Sequence, residues 1–263
     1  MCLEHPADGQ VEFAVRCSAL GRYLPRGGRV LDLGGGPGRY AIWLAEHGHR
    51  VTLADLSPEL LAITRERVDA ASVKLDAIVE VDARNLSAWA GGSFDAVVCL
   101  GPFDHLTEAN DRARAASEVA RVLVDGGVAF IALMPILAFL RRTLAVPDER
   151  RHLPDPGFLE RVLHQGIFVN GVPGRFTQGY GVRPDDVGPF FRGFGFEQLA
   201  LLSTESLTVG VESELPVLLK DPVLARAVLQ LAIDHAGDPG ILDLARHLMY
   251  VGRYRARASG VRV

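Results

Sequence analysis

Residues Val30-Leu31-Asp32-Leu33-Gly34-Gly35-Gly36-Pro37-Gly38-Arg39-Tyr40 restrict the fold more than any other stretch of the chain. Val30, Leu31 and Leu33 suit a strand covered on both faces, and the glycines after them suit a backbone that turns tightly and comes close to a ligand. The segment therefore predicts a buried strand, an acid at its mouth, a glycine-rich turn and a helix start. This is the form of a nucleotide pocket.

The spacing narrows the choice of ligand. A dinucleotide fingerprint counted from Gly34 puts its third glycine at position 39, where Arg39 stands; here the glycines fall at Gly34, Gly36 and Gly38. Asp32 adds a carboxylate where a pyrophosphate needs neutral or positive surroundings, so a cationic ligand with a free amino group fits better. S-adenosylmethionine carries both an ammonium and a sulfonium. Taken alone, the glycines also fit a simple strand-to-helix turn.

Four further segments follow in order. Val51-Thr52-Leu53-Ala54-Asp55 is a short apolar strand ending in an acid, roughly 20 residues past the glycines, where a ribose-binding carboxylate is expected. Ile78-Val79-Glu80-Val81-Asp82-Ala83 is another strand followed by an acid, and Phe94 to Pro102 and Glu118 to Val128 supply a fourth strand and a helix-turn-strand. With the glycine turn, this series resembles class I S-adenosylmethionine-dependent methyltransferases. The resemblance implies Asp32 near the cofactor amino group, the Gly34, Gly36 and Gly38 backbone around the cofactor, Asp55 with Leu56 at the ribose, Asp82 with Ala83 at the adenine, and Leu100 near the methyl group.

The second half extends the resemblance. Leu100-Gly101-Pro102-Phe103-Asp104-His105-Leu106 is similar to the Leu-Gly-Pro-Leu-Tyr-His-Leu motif of a bacterial methyltransferase group. The same group has counterparts of Phe176-Thr177-Gln178-Gly179-Tyr180, Gly195-Phe196-Glu197 and His247-Leu248-Met249-Tyr250-Val251. The departure is Asp104, where the group has tyrosine.

Alternating strands near 29–33, 50–54, 77–81, 94–100 and 127–133 predict an α/β, doubly wound, Rossmann-like sheet of seven strands, the last two near 194–203 and 247–255. A helix is expected from Val11 to Leu24. The whole chain, 1–263, reads as one domain with two insertions: a proline-rich segment at 134–180, expected to be a substrate lid, and a mostly helical one at 205–246.

Composition excludes several partner classes. The 28 basic and 32 acidic residues give a net charge of -4, which disfavours nucleic acid or an anionic membrane as the main partner. Three scattered cysteines without a C-x-x-C pair, and no secretory leader pattern at the N-terminus, point to the cytoplasm. A small-molecule methyl acceptor becomes the expected substrate, with the protein a monomer or homodimer. No metal site is expected, since His47 and His49 fall in a helix-to-strand turn at the wrong end of the sheet.

The cofactor's methyl group is already electrophilic, so the protein must mainly align an oxygen or nitrogen nucleophile. His105 is the candidate general base and Asp104 a second catalytic candidate, with loop support and helix capping as their alternative roles. Tyr180, Arg175 and His164 are candidate substrate contacts, and Arg141, Arg142, Arg150, Arg151 and His152 form a basic cluster that either recognises an anion or pairs with neighbours such as Asp148 and Glu149. Two other classes stay open: a noncatalytic cofactor-binding partner or regulatory subunit, and a nicotinamide oxidoreductase, which the glycine spacing disfavours.

Overall fold

The computed structural model describes residues 6–171 and 176–256. In chain order the elements are α1 (Pro6–Tyr23), β1 (Arg29–Leu33), α2 (Arg39–Glu46), β2 (Arg50–Asp55), α3 (Pro58–Ala71), β3 (Ala77–Glu80), β4 (Phe94–Cys99), α4 (Pro102–His105), α5 (Ala109–Val122), β5 (Leu123–Pro135), α6 (Ile136–Ala145), α7 (Pro156–Gln165), β6 (Ile167–Val169), β7 (Gln178–Val182), α8 (Pro184–Arg192), β8 (Phe196–Ser203), α9 (Leu215–Leu218), α10 (Pro222–Asp234), α11 (Pro239–Leu242) and β9 (Leu248–Tyr254). The strands pair in the order β3-β2-β1-β4-β5-β7-β6, with β9 pairing both β5 and β8.

The chain divides into two compact units. One, the glycine-turn unit, comprises Tyr23–Ile131, Gly188–Leu199 and Val251–Val263. Its strands β3, β2, β1, β4 and β5 are all parallel. Val30, Leu31, Leu53, Val97, Val98 and Phe130 are fully buried, as expected for strands covered on both faces. The helices obey local rules. Ser57 caps α3 by accepting the Leu60 N–H at 3.2 Å, with Pro58 in the first turn where a missing N–H costs nothing. Helix α5 buries Ala115, Ala116, Val119, Ala120 and Val122, a stripe at helical spacing. At the other end of the strands Arg29 clamps Asp95 through its backbone N–H at 2.8 Å and its guanidinium at 3.1 and 3.2 Å.

The other unit comprises Met1–Arg22, Ala132–Val187 and Ala200–Tyr250. Residues 134–180 have a core of their own, Ile136, Phe139, Phe158, Val162 and Phe168, with Phe176 packed against it. A second core joins Ala7, Val11 and Val15 of α1 to Leu215, Ala232 and Ala236.

The expected seven strands are present, and two more accompany them. Strands β6 and β7 form an antiparallel ladder, and β7 also pairs with the end of β5 in parallel. Neither was legible beforehand. Strand β6 has only three residues, and Gln178-Gly179-Tyr180-Gly181-Val182 carries two glycines, which weaken a strand signal. Packing explains Gly181, where a Cβ would come within 2.8 Å of the Phe139 ring.

Candidate functional site

Strand β1 delivers Asp32 and the glycine turn to one place. Gly34, Gly36 and Gly38 have φ values of 69°, 52° and 81°, a region that strongly favours glycine. A Cβ on Gly34 would lie 2.5 Å from the Pro102 ring, and one on Gly35 2.7 Å from Asp32 Oδ2, so the turn is walled on these sides. At Gly36 a Cβ would meet nothing within 4 Å, so this side of the turn is open.

Strand β2 supplies the acid that holds the turn. Asp55 Oδ2 accepts the Gly36 N–H at 2.8 Å, and Oδ1 accepts the Ser57 N–H at 2.9 Å. Thr64 donates its hydroxyl to the Gly36 carbonyl at 2.6 Å, which ties α3 to the same residue. Next to Asp55, Leu56 is 62% exposed, an apolar side chain left free at the strand end.

Asp32 is different. It is 1% exposed, and its Oδ2 is buried without a hydrogen-bond partner among the described residues. Burial, offset in part by the Ala41 backbone and reinforced by the negative charge of Asp55, pushes its carboxyl up to about 7. A cation placed against Oδ2 would remove this penalty.

Asp82 and Ala83 follow β3. The Asp82 carboxylate is gripped by the Arg84 guanidinium at 2.6 to 3.0 Å and by the Arg84 backbone N–H at 2.8 Å, and these hydrogen bonds hold it below the usual carboxylate range. Arg84 in turn bridges to Asp111 at 2.6 Å. Sequence reasoning missed this bridge, because Asp111 becomes a neighbour only when α5 packs. A cavity of ≈ 420 Å³ lies beside Arg84, Arg114, Glu118 and Arg121. It is not lined by the glycine turn, and its Arg84 and Arg121 are already paired with Asp82 and Glu118, so it is a solvated ionic face rather than the cofactor cleft.

Strand β4 ends at Cys99, and Leu100 leads into α4, which contains Asp104 and His105. Asp104 is buried, and its charge, together with that of Asp32, adds to the burial that pushes the Cys99 thiol well up. Helix α5 starts at Ala109 with Glu108 at its N-cap, and Arg112 fixes the intervening loop through the Leu106 and Thr107 carbonyls at 2.8 and 2.7 Å. His105 retains appreciable surface exposure, yet crowding by surrounding chain lowers its imidazole below the ordinary value. It is thus largely neutral near pH 7 and able to accept a proton.

The expected substrate contacts belong to the other unit. Tyr180 is half-buried on β7 opposite Ile167, and His164 is on α7 with its side chain 65% exposed, 3.6 Å from Glu160. Arg175 lies outside the described residues. The basic cluster is paired within the same unit. Arg142 binds Glu149 at 2.8 Å, Arg150 and Arg151 donate to the Leu144 and Asn170 carbonyls, Arg141 donates to the Leu244 carbonyl, and His152 meets Asn170 at 3.2 Å.

Residues 30–127 match the family described as a methyltransferase domain. A ubiquinone biosynthesis O-methyltransferase of Xanthomonas axonopodis pv. citri is 35% identical over 113 residues, 43% of this chain and 46% of that protein. The chain thus spans less than half the length of the curated relatives it matches. Among solved structures, a SAM-dependent methyltransferase from Methanosarcina mazei aligns with a TM-score of 0.62 at 16% identity, covering 91% of this chain and 98% of that one. An S-adenosylmethionine-dependent methyltransferase from Mesorhizobium loti aligns with a TM-score of 0.60 at 21% identity, covering 92% and 99%. Residues 30–127 thus resemble a methyltransferase domain, and the chain has the Rossmann-like fold of the S-adenosylmethionine-dependent methyltransferases with which it aligns.

Proposed function

We propose that this protein transfers a methyl group from S-adenosylmethionine to an oxygen or nitrogen of a small molecule in the cytoplasm. The observation that carries the reading is the buried Oδ2 of Asp32, unpartnered among the described residues, beside a glycine turn whose Gly36 side is open. A carboxylate this deeply buried calls for a cationic partner, and the cofactor's ammonium fits that chemistry. Asp55, Leu56, the segment Asp82-Ala83 and Leu100 complete the proposed cofactor contacts. The name of the Xanthomonas relative, a ubiquinone biosynthesis O-methyltransferase, favours a small-molecule oxygen acceptor.

When bound, the cofactor supplies an electrophilic methyl on a sulfonium. The chain's own residues then have three tasks: to hold the cofactor, to exclude water and to take a proton from the acceptor. His105, with its lowered imidazole, accepts that proton, and Asp104 beside it positions the loop. Tyr180, Arg175 and His164 are the proposed acceptor contacts, and residues 134–180 the proposed lid.

Asp55→Ala tests the cofactor half of this reading. It removes the acceptor for the Gly36 and Ser57 N–H groups and the ribose contact together, and should weaken cofactor affinity by about 1.5–3 kcal/mol in calorimetry. Unchanged affinity in the folded variant would remove Asp55 from the site. Labelled methyl transfer to a metabolite extract tests the catalytic half; tight cofactor binding with no transfer would leave the protein a noncatalytic cofactor-binding partner.

A further inference from the structure

Helix α10 is apolar on two opposite faces, and its own unit uses one of them. The inner face supplies Ala232, fully buried, with Val228, Leu229 and Ile233 packed on the core that Ala7, Val11 and Val15 of α1 also build. At about 3.6 residues per turn the opposite face is centred on Ala227 and carries Val223, Leu224 and Leu231. Ala227 is exposed, and Val223, Leu224 and Leu231 are 77%, 46% and 51% exposed. A helix that covers only its own core turns polar side chains outward, so an apolar stripe on the outer side marks a contact surface.

The two ends of this stripe carry opposite charges. Lys220 lies just before the N-cap residue Asp221, and Asp234 is the last residue of the helix. Both are exposed, and neither makes an ion pair among the described residues; Asp234 accepts the Gln230 amide at 2.8 Å. Each sign is the less favourable one for its own helix, whose N-terminal end is positive and C-terminal end negative. Against an antiparallel copy both become favourable, because Lys220 then comes to the negative end of the other helix and Asp234 to the positive end.

We propose that this outer face of α10 is the contact between two copies of the chain, paired antiparallel about a two-fold axis beside Ala227. The pattern is self-complementary under that rotation, as a two-fold contact requires. Leu224, three positions before Ala227, meets Leu231 of the other copy, four positions after it, and Lys220, seven before, meets Asp234, seven after. Ala227 lies at the crossing, where a small side chain lets the helix axes approach to the near end of their usual range of about 8–10 Å. A parallel pairing would instead set Lys220 against Lys220 and Asp234 against Asp234. The helix is about 20 Å long, a short contact for a protein complex, so association in the micromolar range is expected.

Sedimentation equilibrium of the full chain from about 1 µM to about 200 µM tests this without any activity measurement. The mass should rise from that of one chain towards that of two across this range. Ala227→Arg, at an exposed position, should raise the dissociation constant about tenfold or more by forcing the helices apart. Lys220→Asp and Asp234→Lys should each raise it about fivefold, and the double variant, with the charges exchanged, should return it towards the wild-type value. A wild-type protein that keeps the mass of one chain at the highest concentration overturns the proposal, and binding of that monomer to phosphatidylcholine vesicles would give the face to a lipid surface instead. A dimer unaffected by Ala227→Arg also overturns it, because the copies then meet elsewhere. If Ala227→Arg does not fold, the charge exchange decides, and a double variant that associates no better than the single ones overturns the antiparallel pairing.

Discussion

The two units treat their buried carboxylates in opposite ways. In the glycine-turn unit Asp32 is 1% exposed, has one oxygen without a partner among the described residues and is pushed up to about 7. In the other unit Glu149 and Glu205 are as deeply buried, but Glu149 holds the Arg142 guanidinium at 2.8 to 3.1 Å and the Asn170 amide at 3.0 Å, and Glu205 is surrounded by donors. A satisfied buried carboxylate fixes local structure, whereas an unsatisfied one is held ready for something from outside. The contrast separates a proposed binding group from structural ones better than the residue type does.

The sharpest way to break this contrast is to remove a satisfied carboxylate. Glu149→Ala leaves Arg142 and Asn170 without their acceptor and should cost about 3–5 kcal/mol in denaturant unfolding. A variant as stable as the wild type would show that the Glu149 network carries no structural weight.

Removing the unsatisfied carboxylate should have the opposite sign. The folded value of Asp32 lies above its unfolded value near 3.8, so the apo protein is favoured at low pH and loses stability as pH rises toward 7, with the penalty complete above it. At pH 8 Asp32→Asn should therefore stabilise the apo protein, by up to about 4 kcal/mol if the roughly three-unit shift is fully relieved, while cofactor binding collapses. In the wild type, cofactor affinity should fall as pH drops below 7, because protonated Asp32 no longer attracts an ammonium. Calorimetric titration between about pH 5.5 and pH 8 checks this; flat affinity together with a destabilised Asn variant would make Asp32 a structural acid like Glu149.

The smallest effect should come from an exposed pair. His164 and Glu160 are 65% and 63% exposed at 3.6 Å, so His164→Ala should shift stability by less than about 0.5 kcal/mol. A clear loss of methyl transfer in this stable variant would make His164 an acceptor contact, and an unchanged rate would return it to the surface.

Much of the glycine-turn unit was legible beforehand because its signals are local. Val30 to Leu33, the glycines at fixed offsets and an acid at the end of each of the next two strands are covalently spaced, and parallel pairing brings β1 and β2 side by side with Asp32 opposite Leu53. That the Arg84 clamped on Asp82 also bridges to Asp111 was not legible, since Asp111 reaches Arg84 only when α5 packs. Nor was the burial of Asp104. A sequence rule that places small acids at helix starts favours capping, while the chain buries this carboxyl near Cys99 and starts α5 with Glu108.

The sequence by itself determined the Rossmann-like order of strands and helices, the site of the glycine turn and the identity of the acids that flank it, because burial pattern and turn chemistry act over a few residues. Tertiary structure alone decided which acids are satisfied. It added β6 and β7, whose short or glycine-rich stretches become strands only against a neighbour's ladder, and it left Asp32 Oδ2 without a partner among the described residues. It also brought Glu12 to His247 across more than two hundred residues of chain. Hydrogen bonds and ion pairs of this range depend on which surfaces the folded chain buries together, and no local pattern encodes that.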